Sequence, residues 1–252
     1  MLRKTLDRLR KRHQGIGYWR LGLYGWAWLL RTVSAGAVEL HYRYVLLQEV
    51  PGEPLLKGRS RGLPEVRVLE GAELLREFDR DVDGAFSRPP RDRPRVQMRV
   101  ERGDICIAAA RSARTVGVLW LSFGTFEETA VNCRFVVNPS DRVAWDSNLF
   151  IVEEARGGLI FVALWDGANA VLRERGYGWT ATETSAFNGP SLQAHERLGA
   201  YRIGRIVHLC LGSLQVTFSS LHPHFHIAGP SAEGPVFLIP PPPQSPLEET
   251  AR

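Results

Sequence analysis

The sequence predicts an α+β fold, a mixed central sheet with helices on both faces, preceded by an N-terminal helix and strand. Three observations point there. Two β-rich runs, "DICIAAA" (104–110) and "TVGVLWLSF" (115–123), flank the charged turn "RSAR" and read as an antiparallel hairpin. Next, "AWDSNLFIV" (144–152), the helical pattern of "GLIFVALWDGANAVLRERG" and a run at 179–187 give strand, helix, strand, the pattern of a parallel crossover. Finally, "NGPSLQAHERLGAYRIG" (188–204) gives a short helix that re-enters a strand at once.

The remaining elements follow in order. The apolar run Leu21–Leu30 predicts a helix, and "VELHYRYVLL" an added strand. "EVRVLE" reads as a strand, "GAELLREFDRDVDGAF" as one or two short helices, "PPRDRP" as a loop and "NCRFVV" as a further strand. The long helix after 158 ends in Arg173, Arg175 and Gly176, cations and a glycine stop at a helix C-terminus. In the last helix Pro190 suits the first turn and Gly199 the left-handed cap. Three segments result: a basic, aromatic-rich extension (1–60), a central domain (61–220) and a Pro-rich tail (221–252). The polyproline stretch Pro240–Pro246 reads as an extended end. The "HPHFH" of His222, His224 and His226 lacks a carboxylate or cysteine nearby in sequence, so no metal is expected there.

The 252 residues, 44% hydrophobic and 23% charged, suffice for one large domain with extensions. Cys106, Cys133 and Cys210 have no paired spacing, which argues for small core residues and a reducing, cytoplasmic setting. The net charge of +5 is local: residues 1–20 carry +6, leaving −1 for the rest. A basic arm on a near-neutral body does not describe a nucleic-acid-binding protein. Three readings of residues 1–33 stand side by side. Arg20, the apolar run and Ala35-Gly36-Ala37 imitate a secretory signal. Trp19, Tyr24, Trp26 and Trp28 with flanking arginines suit a helix lying on a membrane. The plainest reading is a helix packed on the domain.

Two segments resemble the GNAT superfamily of acyl-CoA N-acyltransferases. "LFIVEEARGGLIFVAL" matches its strand, Arg-Gly turn and long helix; "GYGWTATETSAFNGPSLQAHERLGAYRIG" matches its closing strand, Asn, helix and strand. The resemblance covers about residues 64–220. It implies acetyl-CoA, or another acyl-CoA, as co-substrate and a small-molecule or peptide amine as acceptor. Backbone around Ile151 and Val152 would then face the thioester carbonyl, and Arg156, Gly157 and Gly158 the pyrophosphate. Asn188 and Ser191 would meet the pantetheine arm. Leu159 and Phe161 depart from the family, standing where small residues are usual. A Cβ there crowds a phosphate turn.

Acyl transfer to an amine needs a base for the ammonium proton, a donor to the oxyanion and an acid for the leaving thiolate. His195 stands seven residues after Asn188, where relatives often carry the acidic tyrosine, with Tyr201 as a nearby alternative. Asp146 and Glu153, with Glu154, Glu127 and Glu128, are the carboxylates available as base. An acyltransferase using another donor (an acyl carrier protein or aminoacyl-tRNA) and a non-catalytic binding module of the same fold are the alternatives.

Overall fold

The computed structural model describes residues 17–58, 62–81, 84–87, 92–128, 130–138, 142–156 and 159–242. The chain divides into two compact units: Met1–Glu49, Thr125–Asn138 and Ala181–Arg252 form the first, Val50–Gly124 and Pro139–Thr180 the second.

The second unit holds strands β2 (Glu65–Leu69), β3 (Ile105–Arg111), β4 (Arg114–Ser122) and β7 (Val143–Ile151) in the order β7-β4-β3-β2, all antiparallel. Its helices are α1's later counterparts in sequence, α2 (Gly71–Arg80), α3 (Arg93–Glu101) and α4 (Ile160–Glu174), where α1 is Tyr18–Val33. They cover both faces. On one face α4 lies so close that a Cβ on Gly117 would stand 2.9 Å from Ile160, and one on Gly167 2.6 Å from Val66. On the other, Phe78 and Phe86 meet edge to face, and so do Phe86 and Trp120, while Arg99 of α3 lies over the Trp120 ring, 4.7 Å from its centroid. Burial on both sides explains why β3 and β4 read as nearly unbroken apolar runs. The start of β8 (Trp179–Ser185) lies beside the start of β7, with the Gly178 and Trp179 N–H groups donating to the Arg142 carbonyl, as expected for a parallel strand–helix–strand unit.

Helix α3 differs from the expected loop. Asp92 caps it by accepting from the Arg95 N–H at 3.1 Å, and Pro94 sits in its first turn. Its inward positions are Val96 and Arg99, so an arginine fills the place where an apolar residue would mark the helix in sequence. The short strand β5 (Thr125–Glu127) was likewise not predicted; it pairs with β6 (Arg134–Val136).

In the first unit the order is β11-β10-β9-β1-β8, with β9 (Tyr201–Leu211), β10 (Leu214–Ser219) and β11 (Phe225–Ala228). The added strand β1 (Val38–Glu49) stands between β8 and β9, antiparallel to β9, so the strands joined by α5 (Gly189–Arg197) are not neighbours. Within the segment read as a tail, β12 (Val236–Leu238) pairs in parallel with β6 and buries Phe237 against Phe135. Helix α1 packs on the sheet, as the plainest reading of the arm expects: Leu23 and Tyr24 meet a cluster of Tyr42, Tyr44, Leu46, Phe187 and Leu192. Among the described residues no helix is long and apolar enough to cross a membrane.

Candidate functional site

The sequence-predicted site residues fall in both units. In the second, β7 runs into a 3₁₀ turn (Glu153–Ala155), then Arg156, then α4. Gly157 and Gly158 lie outside the described residues. β7 carries a bulge: Val118 and Trp120 pair with Phe150 and Ser147, leaving Asn148 and Leu149 as an extra step with Asn148 at φ +49°. The bulge comes before Ile151 and Val152, and the Val152 N–H is already donated to the Val116 carbonyl at 3.0 Å. The Arg156 Nε donates to the Ile151 carbonyl at 3.0 Å, which ties the turn back to its strand. Helix α4 has Leu159 as its N-cap, with no side-chain cap and no acidic residue in its first turn.

The carboxylates there differ sharply. Asp146 is buried, whereas Glu153 is exposed and Glu154 pairs with Arg114 at 3.1 Å. Ser147, buried on the face opposite α4, accepts from the Arg99 Nη1 at 3.3 Å. Burial pulls the Arg99 guanidinium down to about 10.

In the first unit Asn188 is the N-cap of α5: its Oδ1 accepts from the Ser191 N–H at 3.4 Å, and its own N–H donates to the Ser185 carbonyl. Asn188 therefore ends a strand and starts a helix with one side chain. His195 is 5% exposed, and burial pulls its imidazole down to about 4, so the ring is neutral at pH 7.

The most concentrated polar chemistry of this unit escaped the sequence reading. Arg43 on β1 donates to Glu183 on β8 and stands 3.9 Å from Glu128. Burial pushes the Glu183 carboxyl well above the usual carboxylate range, the neighbouring Glu128 adds to this, and Arg43 offsets it only in part. Beside them His208 holds Thr217 at 2.9 Å and, by burial and the positive charges of Arg43 and His41, falls to about 3. Glu128 also lines a cavity of about 490 Å³ with Glu39, Asn132, Cys210 and Gln215, and among the described residues no lysine or arginine lines it. Both carboxylates have a cationic neighbour, Glu39 in Arg31 at 3.2 Å and Glu128 in Arg43 at 3.9 Å. The one sequence signal for this cluster was an arginine and a glutamate inside strands, at Arg43 and Glu183, where apolar residues are the rule. Among the described residues no group of three or more His, Cys, Asp or Glu side chains could hold a metal ion.

No protein-family model matches the sequence, and no curated protein matches it. Solved structures similar to the chain include a GCN5-related N-acetyltransferase from Sphaerobacter thermophilus, at 18% identity and a TM-score of 0.47, with 72% of this chain and 55% of that chain covered. Another is a conserved protein of unknown function from Staphylococcus epidermidis, at 14% identity and 0.46, covering 72% and 65%. A third is a GCN5-related N-acetyltransferase from Kribbella flavida, at 14% and 0.43, covering 72% and 62%. The chain thus spans 55–65% of the length of these structures. With TM-scores below 0.5, none of these likenesses bears on the chemistry. Several of the solved structures to which this chain is similar are GNAT-family proteins, at 12–18% identity.

Proposed function

We propose that the chain is an N-acyltransferase that moves an acyl group, in the simplest case acetyl, from coenzyme A to an amine. The observation that carries this reading is the start of α4: a helix end with no side-chain cap and no acid in its first turn. Unpaired N–H groups and the positive helix end suit a pyrophosphate. Coenzyme A would supply the thioester. Arg156 and the start of α4 would hold its phosphates.

The amine acceptor would sit in the cavity lined by Glu39 and Glu128, whose carboxylates can accept from an ammonium. Glu128 is the base we assign, because Glu183 and Arg43 fix it from below. An ammonium must lose its proton before nitrogen can attack, and a carboxylate within hydrogen-bond reach can accept it.

A second reading, a non-catalytic binding module of the same fold, is favoured by the Val152 N–H, which already has a partner, and by Leu159 and Phe161 at the turn. Thermal unfolding with and without acetyl-CoA separates the two, followed by turnover against a panel of amines. A ligand at 100-fold over its Kd adds about 2.7 kcal/mol, a shift of a few degrees. We expect that shift, and we expect Glu128→Gln to bind coenzyme A but lose turnover. Binding without turnover on any amine supports the module; neither binding nor turnover removes the acyl-CoA reading.

A further inference from the structure

The outer sheet of the first unit turns its apolar side to solvent. Alternate side chains of a strand point to opposite faces, and the register assigns them. Thr217 lies opposite His208 and His226, and Gln215 opposite Cys210, whereas Phe218 lies opposite Val207 and Phe225, and Val216 opposite Leu209 and Ile227. The polar face is the buried one: Gln215, Thr217 and His208 are nearly inaccessible. On the apolar face Phe218, Phe225 and Ile227 are 52%, 54% and 53% exposed. A sheet with one wet face ordinarily shows the reverse.

Helix α1 lies on this same face, held by Leu23 and Tyr24 against the cluster of Tyr42, Phe187 and Val207. At 3.6 residues per turn, Tyr18, Leu29, Val33, Trp26 and Trp19 follow one another around its outer side. Trp26 and Trp28 are 64% and 58% exposed. The two charges of the helix, Arg20 and Arg31, lie on its packed side: the Arg20 guanidinium stands 5.5 Å from the Tyr44 ring centroid, and Arg31 pairs with Glu39 at 3.2 Å. Arg202 also stacks on Tyr44, at 4.4 Å, and Arg205 lies opposite Tyr44 in the ladder. The exposed stretch is therefore apolar and bordered by Arg205 and Arg202, the latter paired with Glu196 at 2.7 Å, and neither α1 nor the outward residues of β9–β11 contribute a carboxylate to it.

We propose that this face docks on an anionic lipid bilayer, with the tryptophans and the Phe218–Phe225 pair at the headgroup boundary and the arginines toward lipid phosphates. Large apolar patches mark interaction sites, and tryptophan beside arginine suits the bilayer interface. The sequence before α1 adds a net charge of +5 over residues 1–16. A second copy of the chain fits less well, because neither α1 nor the outward residues of β9–β11 offer a carboxylate to a second copy's arginines.

Co-sedimentation tests the proposal, using vesicles of equal parts phosphatidylcholine and phosphatidylglycerol against phosphatidylcholine alone. Intrinsic tryptophan emission serves as a second readout. We expect the full chain to bind the anionic vesicles with a blue shift, and added salt to weaken binding. Trp26→Ser with Trp28→Ser, and separately Phe218→Ser with Ile227→Ser, should each weaken binding roughly tenfold or more. Both pairs change exposed side chains, so an unchanged unfolding midpoint confirms that each variant folds. The proposal is overturned if the full chain does not bind anionic vesicles, or if both folded variants bind as well as the parent. A concentration-dependent dimer lost in Phe218→Ser with Ile227→Ser, without vesicle binding, would assign the face to a second copy instead.

Discussion

In the second unit the sheet is covered on both faces, and α4 lies on β4 at distances that leave no room for a Cβ at Gly117. In the first unit the sheet buries Arg43, Glu183, His208 and Thr217 on one side and exposes Phe218, Phe225 and Ile227 on the other. The same secondary structure thus serves two purposes. Where both faces are covered, apolar area removed from water supplies the stability. Where the covered face is polar, stability depends on paired charges and satisfied hydrogen bonds, and the apolar face is covered only in part, by α1.

The contrast can be broken from either side. Trp165→Ala, at a fully buried position of α4, should cost about 3–5 kcal/mol in denaturant unfolding. Phe218→Ser, an aromatic of the first unit, should change stability by less than about 0.5 kcal/mol. Equal losses at the two sites would erase the distinction. Arg43→Ala should cost about 3 kcal/mol, because it leaves Glu128 and Glu183 together without the cation that joins them. Adding Glu183→Leu to that variant should recover part of the loss, and failure to recover would mean that Arg43 acts by packing alone.

Acid should weaken the fold through its buried histidines. His195 and His208 have folded values of about 4 and about 3, below the ordinary 6.5, chiefly because burial disfavours their charged forms. Below pH 6.5 the unfolded chain takes up protons that the folded chain refuses, so stability falls as the pH drops toward 4. His195 alone accounts for about 3 kcal/mol across that window. In His195→Gln the dependence of stability on pH should flatten between 6.5 and 4; an unchanged slope would show that this ring is not kept neutral by the fold.

The smallest expected effect concerns Asn188. As an N-cap its removal in Asn188→Ala should lower stability by about 1 kcal/mol without ligand. If the added stabilisation by acetyl-CoA is the same in the variant, Asn188 is a cap and nothing more; if it shrinks, the side chain also meets the ligand.

Much of the fold was legible from short stretches. The hairpin of β3 and β4, the α4 helix and its glycine stop, and the strand–Asn188–helix step depend on periodicity and caps within a few residues. Helix α3 was hidden because Arg99 occupies an inward position. The bulge at Asn148–Leu149 was hidden as well, since a strand's extra residue is defined by its partner. The candidate site was read less fully than the fold. Glu128 was among the carboxylates singled out, but its setting was not: Arg43 and Glu183 are 140 residues apart in sequence.

By itself, then, the sequence determined which segments become helix or strand and where Asn188 and Pro190 turn the chain, because such choices depend on torsions and neighbours within one turn. Only the tertiary structure decided that β1 stands between β8 and β9, that Arg43 meets Glu183, and that the apolar side of β9–β11 faces outward. Alternation along a strand says that its two faces differ; which face is covered depends on what the rest of the chain lays against it.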